Sequence, residues 1–383
     1  MRVLRWLPSL VLLVPLLFGP LAPSNAARIR DLAGPSSFHL VDWETLHLTE
    51  QAGNLWSGLT SPSEATSGDV DTLRAYFTDR TRRDDLRPAV ETALDHVVSQ
   101  TYRDAGLTRD QPVRLAGLFP PVLVALAPPP NVLVIAPRTE LRVSSSSVLR
   151  AMDVPAQERL EASADSTGVS SLVAPIGGLA TYPSMVLEQG SAEQVLSSVA
   201  HEWLHQYLIF YPLGAGYWSS QQTREINETT ADLIGNEVGA KAAASVGLAS
   251  PQNTAPGPRS RNTFDLRAFM RDTRAQTEEL LAAGQVDDAE AYMRARRDEL
   301  QQHGYVIRKL NQAYFALFGS YGDGFAASPR SPIPGLLHTL RDQSPSLADF
   351  IVRVRGVTSV DGLRQAVADS AGQENGFAGV VGQ

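Results

Sequence analysis

The chain has 383 residues, 43% of them apolar, enough for a large buried core, and 33 basic against 41 acidic residues leave a net charge of −8. An acidic chain of this kind is not expected to bind nucleic acid. It contains no cysteine, which excludes disulfides, thiol catalysis and thiolate metal sites, so any zinc would have to be held by histidine and carboxylate.

Residues 1–26 have the pattern of a secretory signal peptide. Arg2 and Arg5 precede an apolar stretch from Leu7 to Leu21, and Ser24, Asn25 and Ala26 form a small-residue cleavage site. Pro8, Pro15 and Pro20 interrupt the apolar stretch, which argues against an uncleaved anchor. The expectation is a mature protein that is secreted or periplasmic and has no stable membrane span.

From Phe38 to Thr108 the pattern is helical, with apolar spacing over Val70–Thr78 and Pro88–Ala105 and Pro88 near a helix start. His39, His47 and His96 in this part are expected to be structural. Two β-prone runs follow, Pro121–Ala127 and Asn131–Ala136, joined by the stiff Pro128-Pro129-Pro130 turn. A helix over Pro155–Ser166 and a strand near Ser171–Ile176 come next.

The run from Ala192 to Phe210 has no glycine or proline. Leu196, Val199, Trp203, Tyr207 and Phe210 recur at three- and four-residue spacing, which predicts a half-buried helix. That helix carries His201-Glu202-Trp203-Leu204-His205, an HExxH motif. Residues four apart share a helix face, so His201 and His205 can reach one metal ion while Glu202 stands beside it as a general base. With only seven histidines in the chain, chance is a poor explanation for this placement. Tyr211–Trp218 reads as a loop.

A third ligand is offered by the next helical run, Arg224–Glu237. Glu225 and Glu228 both share a face with Asp232. Glu228 is the predicted ligand and Glu225 the alternative, because Asp232 lies one turn beyond Glu228 and could accept the free ring N–H of a ligand histidine. Glu237 is expected to be structural.

These residues resemble the gluzincin metallopeptidases, a group that includes thermolysin-like enzymes and zinc aminopeptidases. His201, Glu202 and His205 match its HExxH, and Asn227-Glu228 with Asp232 is similar to its Asn-Glu pair followed by an acidic residue. The match covers roughly 40 residues. It departs in spacing, because 22 residues separate His205 from Glu228 where the group usually has about 18 or 19, a count that Glu225 fits better. A loop can absorb the extra residues.

The resemblance implies an α+β, zincin-like fold with a small sheet, an active-site helix and a mainly helical C-terminal lobe. It also implies Zn2+ as cofactor, a peptide or protein as substrate, and an edge strand around Gly178–Tyr182 that pairs with substrate backbone. Relatives use a Tyr or His to stabilise the oxyanion. Tyr321 is the candidate for that role here, with Tyr217, Tyr305 and His303 as rivals.

Beyond this, Ser250–Asn262 reads as a linker between a region over 27–248 and a helical lobe over 263–383. Phe264–Ala282 and Asp287–Gln302 are predicted as a helical hairpin, followed by a helix over Tyr305–Phe318. The expected function is an exported zinc metallopeptidase. The alternatives are an inactive zinc-binding protein that binds a partner or envelope component, and a helical scaffold whose HExxH is accidental.

Overall fold

The computed structural model describes residues 25–61, 63–79, 83–108, 111–113, 115–249 and 264–378. The predicted leader, apart from its last two residues, and the Ser250–Asn262 linker lie outside the described residues.

The helices are α1 (Asn25–Ala33), α2 (Leu40–Glu50), α3 (Ala52–Thr60), α4 (Ser67–Thr78), α5 (Arg83–Asp104), α6 (Val154–Asp165), α7 (Ala192–Leu208), α8 (Pro212–Ala215) and α9 (Gln221–Ser245). Beyond the linker come α10 (Leu266–Ala282), α11 (Val286–Gln302), α12 (Gln312–Phe318), α13 (Ile333–Asp342), α14 (Leu347–Val354) and α15 (Val360–Ala378). The strands are β1 (Val124–Leu126), β2 (Asn131–Pro137), β3 (Ser145–Leu149), β4 (Val169–Pro175), β5 (Gly178–Leu179) and β6 (Ser184–Val186).

They form two three-stranded sheets. One has the order β3-β2-β4 and is antiparallel throughout. Its central strand is apolar from Val132 to Ala136 because both faces are covered. Val134 and Ala136 pack with Leu172 and Ala174 against Met270, Met293 and Phe315. Leu133 and Ile135 point the other way, toward Ile29, Leu149 and Ala164. The two runs flanking the proline turn therefore enter different sheets, since β1 belongs to the second.

The second sheet has the order β1-β6-β5, with β1 parallel to β6 and β5 antiparallel to it. Side chains close its β1 edge: the Leu126 N–H donates to Glu91 Oε1 (2.8 Å), and Gln51 Nε2 donates to the Val124 carbonyl (2.7 Å). Glu44 accepts from the Tyr182 N–H (2.9 Å) in the segment between β5 and β6. The other edge, β5, faces the cleft described below.

The largest core gathers α4, α5, α7 and α9 with α13, α14 and α15. Chain beyond residue 264 thus contributes to two cores, with α10–α12 on the first sheet and α13–α15 on the helices.

Three boundaries differ from expectation. Pro88 lies inside α5, which starts at Arg83, rather than near its start. Phe210 falls past the end of α7 and is 38% exposed, so it does not continue the buried stripe. Tyr305–Asn311 is not helical. Asn311 caps α12 by accepting from the Tyr314 N–H (2.9 Å), and just ahead of it Arg308 and Lys309 reach across to Glu161 and Asp165. These ties hold the segment extended.

Burial of Glu44 and Glu91 raises both carboxyls to about 7, against partial offsets from the Tyr182 and Leu126 N–H groups. Both folded values lie above the unfolded one. The stability they contribute is therefore fully present below pH 4.5 and is lost as pH rises through 7, by at most about 3 kcal/mol each. Urea midpoints are expected to fall across this window, and a Glu44→Gln, Glu91→Gln double variant to show a flatter profile. An unchanged slope in that variant would assign the pH dependence to other groups.

Candidate metal centre

The centre is built by two helices in close contact. α7 starts with a capping box: the Gln194 N–H donates to Ser191 Oγ (3.2 Å), and the Ser191 N–H donates to Gln194 Oε1 (2.8 Å). Its Leu196, Val199, Trp203 and Tyr207 side enters the core. The opposite side meets α9, where glycines allow backbone approach. A Cβ on Gly239 would stand 2.5 Å from the Ser197 backbone, and one on Gly235 would stand 2.9 Å from His201 Cβ. This contact sets the histidines of α7 against the acids of α9.

His201 Nε2 and His205 Nε2 are 3.0 Å apart, and Glu228 Oε2 lies 3.6 and 3.5 Å from them. A tetrahedral zinc site with bonds of 2.0–2.1 Å has ligand-to-ligand edges of about 3.3–3.4 Å, so these three atoms fit one face of such a tetrahedron. Glu228 Oε2 is buried and has no hydrogen-bond partner, as an atom reserved for a cation would be. The donor set, two imidazoles and a carboxylate, suits zinc.

His201 Nδ1 is 3.1 Å from Asp232 Oδ1. A proton on Nδ1 shared with Asp232 leaves the Nε2 lone pair facing the other two ligands. Burial alone would favour the neutral ring, but Asp232 and Glu228 outweigh it and hold the His201 pKa well above its usual value. Glu228 is likewise opposed by burial, yet His205 and His201 hold its carboxyl well below the ordinary range. Asp232→Ala is expected to lower zinc affinity by about 10–100-fold without unfolding the protein, as measured by competition with a chelating dye. Unchanged affinity would remove Asp232 from the site.

Glu225, three residues before Glu228, points elsewhere and accepts from Ser331 Oγ. Glu237 pairs with Arg341 (2.8 Å) and Lys241 (2.7 Å).

Glu202 lies beside the ligands, and burial raises its carboxyl pKa. Its Oε1 would be 2.3 Å from a Cβ on Gly178, so any larger residue there would push the carboxylate aside. The Leu187 N–H donates to the Gly177 carbonyl (3.0 Å), which makes that a bonded pair in the β5–β6 register. Gly178, one residue on, consequently turns its own N–H and C=O toward the open edge.

Both candidate tyrosines with glycine or loop neighbours reach the centre. The Tyr217 hydroxyl donates to Glu228 Oε1, and the Tyr217 ring sits 6.2 Å from that of His205. Tyr321 lies with its ring 6.4 Å from that of His201 and inclined at 29° to it. The charge on Glu228, together with burial, keeps the Tyr321 phenol well above its usual pKa, so it is an O–H donor at neutral pH. Tyr321 is brought there by Gly322, whose N–H donates to Thr229 Oγ1 (2.9 Å). A Cβ on Gly322 would collide with Thr229 and Pro334. The other rivals lie elsewhere, since His303 stacks on Phe264 and the Tyr305 ring lies tilted against it. His47 bonds to the Trp43 carbonyl, His96 pairs with Asp69, and His39 is exposed next to Asp42.

The centre opens into a cleft of about 470 Å³, with apolar walls from Val132, Val134 and Val148 of the first sheet and from Leu179, Leu317 and Phe318. No family model, curated protein or solved structure matches the chain. No helix among the described residues is long and apolar enough to cross a membrane. Arg224, which belongs to none of the sequence motifs, also lines the cleft. Its offset of four from Glu228, which places both on one helix face, was the available signal.

Proposed function

We propose that the protein is an extracytoplasmic zinc-dependent peptidase of gluzincin type. The observation that carries this reading is the triangle of His201 Nε2, His205 Nε2 and Glu228 Oε2, with Glu202 beside it at the floor of an open cleft. His201, His205 and Glu228 would hold the ion and Asp232 would orient His201. Zinc, when bound, supplies a Lewis acid for a carbonyl oxygen and lowers the pKa of a coordinated water to about 7.

Glu202 is the base that takes a proton from the water as its oxygen bonds to the carbonyl carbon, and it then passes that proton to the amine as the amide C–N bond breaks. The Gly178 N–H and C=O offer strand-type hydrogen bonds to an extended peptide, which would lay its scissile bond over the Glu202 carboxylate. Tyr321 is the donor to the oxygen that gains charge, and Tyr217 keeps Glu228 in place.

The test is hydrolysis of a quenched-fluorescent peptide library by the purified full-length protein, before and after removal of metal by chelation. Activity lost on chelation and restored by about one zinc per chain is the expected result. Zinc binding without hydrolysis of any peptide would instead favour the binding-protein alternative, and absence of zinc from metal-replete protein would leave only a scaffold.

A further inference from the structure

Arg224 stands in the first turn of α9, four residues before the metal ligand Glu228, and is only 6% exposed. Its guanidinium carbon lies 4.1 Å from the Trp218 ring centroid and 5.1 Å from that of Tyr217. Tyr217 is the residue that bonds Glu228, so this stack adjoins the metal ligands directly. Stacking occupies the flat faces of a guanidinium, while its five N–H donors lie in the plane and remain free for other partners. Here they have none: among the described residues the Arg224 side chain makes no hydrogen bond and no ion pair, and it is the sole lysine or arginine lining the cleft.

The other buried arginine among the described residues is treated differently. Arg274, also nearly buried, donates to the Phe315 and Ala326 carbonyls and pairs with Glu278. Arg308 is paired with Glu161. No Arg224 nitrogen is among the buried atoms that lack a hydrogen-bond partner, so its unpartnered donors are open to the cleft, where a ligand can supply acceptors. The planar fork matches a carboxylate, which it can bind by two parallel N–H···O bonds.

We propose that Arg224 receives the free C-terminal carboxylate of a peptide, so that the enzyme is a carboxypeptidase, releasing one amino acid and a shortened peptide per water consumed. This rests on the peptidase reading above. The reach is compatible: along α9 the backbones of Arg224 and Glu228 are four residues, roughly 6 Å, apart. A terminal carboxylate and the carbonyl before it are separated by one residue, about 3.3–3.6 Å of extended chain. A carboxylate held on Arg224 would bring the last peptide bond, ahead of any interior one, toward the side of the cleft that Glu228 and Glu202 line.

Two measurements test it. The first needs no catalysis: 3-phenylpropanoate and 3-phenylpropanamide are titrated calorimetrically into zinc-loaded wild type, chelator-stripped wild type, Arg224→Gln and Arg224→Lys. The expected result is that wild type binds the acid about 30-fold or more tighter than the amide, that stripping the zinc leaves most of this preference, that Arg224→Gln abolishes it and that Arg224→Lys retains part. Acid binding that survives in Arg224→Gln but disappears with the zinc would overturn the proposal by assigning the carboxylate to the metal.

The second compares hydrolysis of peptides with free and amidated C-termini. Preference for the free acid, lost in Arg224→Gln at unchanged zinc content, is expected. Zinc-dependent cleavage of both forms at equal rates would overturn the carboxypeptidase assignment and leave the peptidase reading intact. Arg224-dependent acid binding without hydrolysis would do the reverse, sustaining the carboxylate site and removing the peptidase.

Discussion

Glu202→Gln is expected to retain one zinc per chain and to lose about 10²–10⁴-fold in kcat, the usual contribution of a positioned general base. The amide has nearly the shape of the carboxylate, so the close packing against Gly178 survives and the ligands His201, His205 and Glu228 are untouched. What disappears is the capacity to hold a proton between attack and departure of the amine. Because the loss concerns the chemical step, kcat should carry it and KM should stay within a few-fold. Zinc content by elemental mass spectrometry beside single-turnover kinetics separates the cases. Full turnover in this variant would refute the mechanism, and loss of zinc would show that Glu202 holds the site together rather than acting in it.

Glu228→Ala is expected to abolish stoichiometric zinc and all hydrolysis, whereas Glu225→Ala leaves both in place. Glu228 would supply the third ligand atom, and its removal would leave two imidazoles 3.0 Å apart with no carboxylate to complete the triangle. The loss of affinity should exceed the about 10–100-fold that follows from deleting an outer partner such as Asp232. Glu225 instead accepts from Ser331, and burial holds its carboxyl above the ordinary range. Its replacement costs a buried hydrogen bond, on the order of 1 kcal/mol, and therefore lowers the denaturation midpoint without touching the metal. The reverse pattern, zinc lost in Glu225→Ala and kept in Glu228→Ala, would exchange their roles.

The spacing within HExxH, and the offset between Glu228 and Asp232, could be read along the chain because each lies within one helix. There the rise of 1.5 Å per residue and the 3.6-residue turn convert sequence distance directly into position. The same holds for α6, α10 and α11, whose apolar periodicity is local. It fails where side chains from distant segments decide the backbone. Residues 305–311 carry helical spacing but are held by Arg308, Lys309 and Asn311 bonding to Glu161, Asp165 and Ser171. The spacing from His205 to Glu228 is another such case, because a count along a loop says nothing of where the next helix docks.

By itself, the sequence determined the chemistry available to the centre: two imidazoles and an acid at helical spacing, with no thiol in the chain to compete. Tertiary structure decided which acid meets the histidines, that Tyr217 and Tyr321 both come up to them, and that Arg224 stands nearby with no hydrogen-bond or ion-pair partner among the described residues. The physical reason is the glycine contact of α9 on α7: where Gly235 and Gly239 let the backbones approach, the crossing geometry turns Glu228 rather than Glu225 toward the histidines, a choice that the Glu228–Asp232 offset favours but does not fix.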